Sequence, residues 1–150
     1  MARSAAACRT ARANPSVSRC RPRHHRRDAV RYPDALVTCS EVPGDAHVVP
    51  GAVAVFEVLS PTFGRTDRIV KLREYRAVSS IRRYVILEHA SVGLIVLTRT
   101  GSDEDWTATA LTAEDTLRMP EIAAEIPVAE FYEGVEFSAV PDDDVGKPPA

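Results

Sequence analysis

The chain has 150 residues, of which 45% are apolar and 27% charged, the composition of a soluble globular protein. No apolar run approaches the ~20 residues that a membrane-spanning helix needs, so we expect a cytoplasmic protein without a membrane partner. The net charge of -2 conceals two differently built parts. Residues 1–31 hold nine Arg and one Asp, which leaves ten of the 19 basic and twenty of the 21 acidic residues, a net charge of -10, for the remainder. Nucleic acid would therefore have to contact a local basic patch there.

The first 29 residues are rich in arginine, contain two prolines and show no apolar periodicity, so we predict that they are disordered. Three functional interpretations stay open: a basic arm that binds nucleic acid, an organellar transit peptide, and a poorly spaced zinc site at Cys8, Cys20, His24 and His25. We favour a fourth, in which a misplaced start or a shifted reading frame produced this leader.

From Tyr32 onward, runs typical of strands alternate with turns. The predicted strands lie within 32–40, 52–60, 81–90, 91–100 and 106–112, and the predicted helix runs from Thr66 or Asp67 to Val78. Short apolar anchors between prolines follow, then a short helix that Gly134 ends, and residues 138–150 read as a flexible tail. This order predicts a mixed sheet with few covering helices, an α/β (α+β) fold.

The run at 52–60 is apolar almost throughout, which is typical of a strand buried on both faces. Such a strand needs an apolar layer on each side, and the chain offers one good helix. We expect the second layer to be missing, because the segment before Tyr32, where it would normally lie, is rich in arginine. Cys39 sits in an ordered-looking stretch, and we predict a buried free thiol in a reducing cytoplasm.

Two carboxylates and a lysine form the candidate site. Asp34 and Glu57 lie on consecutive predicted strands, which are often neighbours in a sheet, so their side chains can converge. Mg²⁺ or Mn²⁺ would relieve their repulsion. Lys71 shares one helix face with Asp67 and Tyr75, which would orient it to assist the attack of water on phosphorus.

Each of these residues also has a purely structural alternative. Glu57 could form a salt bridge with Arg65 or Arg68. Asp34 follows a proline and could cap its strand. Lys71 could be an ordinary solvent-facing lysine of the helix.

The runs "YPDALVTCS", "VFEVLSPTFGRTDRIVKLREYRAV", "IRRYVILEHA" and "IPVAEFYEGVEF" resemble the Uma family of bacterial restriction-endonuclease-like proteins, in the PD-(D/E)XK nuclease superfamily. The resemblance covers residues 30–137. It implies a nuclease core in which Asp34, Glu57 and the carbonyl of Val58 bind the metal. The superfamily usually places a lysine where this chain has Leu59, and the resemblance implies that Lys71 replaces it from the next helix.

Residues 1–29 match none of the region that family members carry before the Pro-Asp strand, so we expect a chain that lacks the family's N-terminal layer. Our first hypothesis is a Mg²⁺-dependent endonuclease acting on DNA, with Arg65, Arg68 and Arg73 contacting phosphates. The alternative is a truncated, non-catalytic domain with at most a nucleic-acid or protein binding role. A homodimer stays open under either hypothesis.

Overall fold

The computed structural model describes residues 9–12, 16–17, 31–44, 48–58, 65–101 and 105–137, with side chains from Arg31 onward except at 65–68. The strands are β1 (Arg9–Arg12), β2 (Ser16–Val17), β3 (Ala35–Thr38), β4 (Val48–Val49), β5 (Ala52–Val58), β6 (Arg83–Leu87), β7 (Gly93–Thr98), β8 (Thr107–Thr112), β9 (Thr116–Met119) and β10 (Ala124–Pro127). One α-helix, α1 (Arg65–Arg76), and two 3₁₀-helices, Pro120–Ile122 and Val128–Tyr132, complete the described elements.

Six strands form one mixed sheet in the order β1-β3-β5-β6-β7-β8. β5 and β6 are parallel and are joined through α1, while the other neighbouring pairs are antiparallel. The predicted mixed sheet is therefore confirmed, as is the hairpin of β6 and β7. The helix begins one or two residues before the predicted Thr66 or Asp67 and ends two residues before the predicted Val78. None of the described helices is both long and apolar enough to cross a membrane.

The side chain of Arg99, just after β7, fixes the carboxyl end of α1 against the sheet. Its guanidinium donates hydrogen bonds to the carbonyls of Ile81 (2.8 Å), Arg76 (3.0 Å) and Val78. The group also lies 4.9 Å from the centre of the Trp106 ring. Because the last carbonyls of a helix have no partners within it, the buried Arg99 satisfies the carbonyl of Arg76, the last residue of α1, and also ties down the segment that follows.

The two faces of β5 are covered by different parts of the chain. On one side, Val55 packs in a core cluster with Tyr75 of α1 and Tyr84 of β6. On the other side, Ala54 packs in a second cluster with Leu117 of β9 and Val128. The predicted burial on both faces is therefore confirmed.

The layer that we expected to be missing is built by the C-terminal part of the chain. β9 and β10 form an antiparallel hairpin, which Arg83 of β6 holds onto the sheet through two hydrogen bonds to Glu121, of 2.6 and 3.0 Å. The Tyr132 hydroxyl donates to the carbonyls of Glu88 (3.0 Å) and Gly93. The expectation was wrong because Pro120 and Pro127 break this region into pieces that do not look like a layer in the sequence.

The N-terminal segment also differs from the prediction where it is described. β1 pairs antiparallel with β3, and β2 pairs parallel with β4, so these six residues are strands inside the leader that we predicted to be disordered. Backbone pairing to an open sheet edge needs no apolar periodicity, which explains why the composition concealed it.

The four residues of the weighed zinc site and the predicted tail lie outside the described residues. Cys39 is half-buried and disulfide-bonded, so the buried free thiol was wrong.

Val128→Ala tests the second layer. Val128 is fully buried, so its truncation should lower the free energy of unfolding by about 2 kcal/mol through lost burial and the cavity left behind. Val135→Ala is the matched control, since Val135 is 50% exposed and should change stability by less than about 0.5 kcal/mol. Urea unfolding followed by fluorescence measures both. Equal effects would contradict a packed C-terminal layer.

Candidate active site

Glu57 is a buried carboxylate whose two oxygens are both hydrogen-bonded. Oε1 accepts from the Tyr75 hydroxyl at 2.7 Å. Oε2 accepts from Lys71 Nζ at 2.8 Å and from the Tyr84 hydroxyl at 3.1 Å. The side chain of Glu57 is 8% exposed and that of Lys71 17%, so the ion pair is largely removed from water. An unpaired carboxylate here would be costly, and these three donors make its burial tolerable.

Helix geometry brings two of these donors to the same carboxylate. Lys71 and Tyr75 are four residues apart on α1 and therefore lie on one face, as predicted. Tyr75 contacts Glu57 itself, whereas the prediction gave it the role of orienting the lysine. Burial raises the pKa of the Tyr75 phenol well above its ordinary value, and the hydrogen bond to Glu57 raises it further. The phenol stays protonated and remains a donor at neutral pH.

Asp34 contacts β5, the strand of Glu57, from the neighbouring strand β3. It lies immediately before β3, and its Oδ2 accepts a hydrogen bond of 2.8 Å from the backbone N–H of Val58, the residue after Glu57. Ala35 pairs with Phe56, so continuing this antiparallel register by one residue sets Asp34 opposite Glu57. Residues directly opposite in such a pair lie on the same face of the sheet. Asp34 itself is exposed to solvent.

Both carboxylate residues line one cavity of about 490 Å³, which also includes Val58 among its lining residues. Its other described walls are apolar and come from β3, β5, β6 and the β9–β10 hairpin with the 3₁₀-helix that follows. Asp34, just before β3, and Glu57, near the end of β5, therefore place polar residues at the edge of an apolar cavity.

The remaining predicted site residues are placed only in part. Arg73 is exposed on the last turn of α1, as a phosphate contact requires. The side chains of Arg65, Asp67 and Arg68 lie outside the described residues, so their assigned contacts stay predictions. The salt bridge weighed between Glu57 and either arginine likewise stays untested, while the one that the structure shows joins Glu57 to Lys71.

Sequence reasoning missed two contributors to this site. Tyr84 donates to Glu57 from the neighbouring strand, and the parallel register that pairs Val55 with Tyr84 places it there. Arg31 forms a bidentate ion pair with Glu74 of α1, which includes a 2.9 Å bond. That hydrogen bonding raises the pKa of Arg31. A tyrosine in an apolar strand carries no signal of its own, and Arg31 was grouped with the arginine-rich leader.

The site offers few metal ligands, but they are carboxylates, which suit a hard cation. Within the described part of the chain, no three His, Cys, Asp or Glu residues cluster as a metal site. Mg²⁺ is commonly bound through one or two carboxylates, with water and phosphate oxygens completing its shell. Asp34 and Glu57 supply that number, and the predicted carbonyl of Val58 would add a third oxygen. The residues present therefore fit Mg²⁺ or Mn²⁺.

Comparisons with known proteins agree with this fold. The family model of Uma2, described as "Putative restriction endonuclease", matches residues 3–129. The match begins inside the segment that we expected to lie outside the family pattern. A solved structure described as "a putative nuclease belonging to DUF820", from Anabaena variabilis, is similar with a TM-score of 0.58 and 11% identity. The similarity covers 85% of this chain and 69% of the other. No curated protein matches the sequence.

Tyr75→Phe tests how Glu57 is held. At pH 7 the variant should be less stable by about 2 kcal/mol, because a buried carboxylate loses a donor. Above pH 10 an unfolded tyrosine loses its proton while the folded Tyr75 keeps it, since its folded pKa is raised. The stabilisation from Tyr75 is thus present below pH 10 and falls by up to about 1.4 kcal/mol per pH unit above it.

The difference in unfolding free energy between the unmodified chain and Tyr75→Phe should therefore shrink from pH 10 upward in urea titrations. Tyr32→Phe is the matched control, because Tyr32 is 65% exposed and should show a small, pH-independent effect. A difference for Tyr75→Phe that stays constant through the alkaline range would contradict the assigned hydrogen bond.

Proposed function

We propose, on the premise that the chain belongs to the Uma2 family, that it is a metal-dependent endonuclease that hydrolyses phosphodiester bonds of DNA. The observation that supports this proposal is the pairing of buried Glu57 with Lys71 beside Asp34, which the strand register sets opposite Glu57. A carboxylate pair with an adjacent lysine suits phosphoryl transfer, in which the protein mainly positions groups and stabilises charge.

Asp34, Glu57 and the carbonyl of Val58 would hold Mg²⁺ or Mn²⁺. The hydrogen bond from Val58 occupies Oδ2 of Asp34, and no described residue hydrogen-bonds its Oδ1. Glu57 accepts three hydrogen bonds, and a carboxylate offers about four lone-pair positions. The ion, when bound, would stabilise charge on the phosphate oxygens and lower the pKa of water.

Lys71 would orient the attacking water or stabilise the negative charge that develops on the phosphate. Tyr75 and Tyr84 are positioning residues, because they hold the Glu57 carboxylate in one orientation without facing the substrate. Arg65, Arg68 and Arg73 lie along α1, and we assign them phosphate contacts that would give affinity without sequence specificity. A homodimer would allow cleavage of both strands.

A second candidate function, nucleic-acid binding without hydrolysis, is favoured by one observation. Both oxygens of Glu57 are already satisfied by protein donors, so the carboxylate needs no cation for its burial. This candidate predicts that Mg²⁺ leaves the thermal stability of the chain unchanged.

Asp34→Asn tests the metal site with little structural change. The asparagine oxygen can still accept the hydrogen bond from Val58, but the charge is lost. We expect Mg²⁺-dependent cleavage of plasmid DNA to fall by at least about 10²-fold. Asp115→Asn is the matched control, since Asp115 is also exposed and accepts a backbone hydrogen bond, 2.7 Å from Thr112, away from the cavity. Cleavage by purified Asp34→Asn at the rate of the control would exclude the assignment.

Lys71→Met separates the role of the lysine from that of the metal. Removing the cation changes the charge of Asp34, Glu57 and Lys71 together from -1 to -2. The Mg²⁺-induced rise in Tm should therefore exceed that of the unmodified chain, while cleavage falls by about 10²-fold. Arg118→Met is the control, because Arg118 and Glu125 form an ion pair whose side chains are 74% and 68% exposed. Identical Mg²⁺ responses in the unmodified chain and Lys71→Met would place the metal elsewhere.

A further inference from the structure

The apolar part of the cavity at Asp34 has no role in holding a metal or positioning water. It lies on the side of the sheet opposite α1, where Phe56 of β5 faces Phe131, with ring centres 6.1 Å apart and planes 28° from parallel. Met119, Ala124 and Ile126 extend the same wall along the hairpin. All of these residues except the buried Met119 are only partly buried, so their side chains retain surface that a ligand can cover.

The size and chemistry of the cavity restrict its ligand. Its volume of about 490 Å³ falls within the ~300–1,000 Å³ typical of small-molecule sites. None of its described lining residues is a lysine or an arginine, so this region suits an uncharged group rather than a phosphate. An aromatic pair beside aliphatic side chains favours a flat ring, which it can stack against and enclose.

The position of the cavity identifies that ring. Asp34 and Val58 line its edge at the end of β5, and Glu57 also lines it although its carboxylate lies on the α1 side of the sheet. We assign the scissile phosphodiester to this end of β5. A base attached one sugar away from that phosphate can reach the apolar wall only if it has left the stack of a duplex. We propose that the cavity is a subsite for an unpaired nucleobase next to the scissile bond, which makes single-stranded or locally opened nucleic acid the substrate class. This inference rests on the proposed function.

The test compares two oligomers of equal length, an oligothymidylate and a chain in which every base is replaced by an abasic tetrahydrofuran residue. Both carry the same phosphates, so at equal salt their electrostatic attraction is matched. Fluorescence anisotropy in EDTA should show that the unmodified chain binds the oligothymidylate about tenfold more tightly, because stacking of one base contributes about that factor. Equal affinities would overturn the subsite.

Two variants locate the effect in the cavity. Ala124→Leu adds three carbon atoms to the cavity wall and should bring the two affinities within about twofold of each other. Ala113→Leu, at an exposed turn between β8 and β9, is the matched control and should keep the tenfold difference. Phe131→Leu removes an aromatic face without filling the space, and it should also reduce the difference. If both cavity variants melt cooperatively yet keep the full difference, the base binds elsewhere and the proposal fails.

The binding test is independent of hydrolysis, because EDTA removes the metal. Base-dependent binding together with a complete absence of cleavage would retain the subsite and reject the nuclease chemistry. Cleavage that depends on Asp34, with equal affinity for the two oligomers, would retain the nuclease and reject the subsite. In the presence of Mg²⁺, the intact chain should cut single-stranded DNA faster than the matching duplex, and a preference for duplex would also overturn the inference.

Discussion

The burial of the Glu57 carboxylate is the constraint on which the arrangement of the site depends. A charge inside an apolar strand must be paired and hydrogen-bonded, and three donors from two elements, Lys71 and Tyr75 of α1 and Tyr84 of β6, meet that requirement. The helix consequently has to pack with one face against β5. Arg99 reinforces this docking at the carboxyl end of α1 by binding the carbonyl of Arg76, its last residue, and the carbonyl of Ile81 after it. The same contacts that satisfy Glu57 also hold a lysine beside it, where the phosphoryl transfer that we propose would use it.

The opposite face of β5 shows how a small chain completes its core from short pieces. The β9–β10 hairpin and the 3₁₀-helix Val128–Tyr132 replace a second covering helix, and the buried pair of Arg83 and Glu121 ties the hairpin to the sheet. Hairpin and sheet do not close completely at the end near Asp34, and the cavity lies there. The layer that stabilises the sheet therefore also provides the apolar wall that we assign to a nucleobase.

Short-range sequence patterns were sufficient to predict parts of this structure. The continuous apolar run identified β5, and the spacing of four residues placed Lys71 and Tyr75 on one helix face. The contact of Tyr84 with Glu57 could not be predicted, because it depends on the parallel register between β5 and β6, which no local signal encodes. The C-terminal layer was missed for a related reason, since two prolines hide a hairpin whose apolar residues meet only when it folds onto the sheet.

The sequence by itself determined the order of β3, β5, α1, β6, β7 and β8 and the residue types of the candidate site, because periodicity, turn residues and motif spacing act over a few residues. It also carried the resemblance to the family that the comparisons then established. Tertiary structure alone decided which groups satisfy Glu57, how Asp34 is anchored to Val58, and which segment covers the second face of the sheet. These depend on strand register and on packing between distant segments, where burial and hydrogen bonding select one partner among several that the sequence permits.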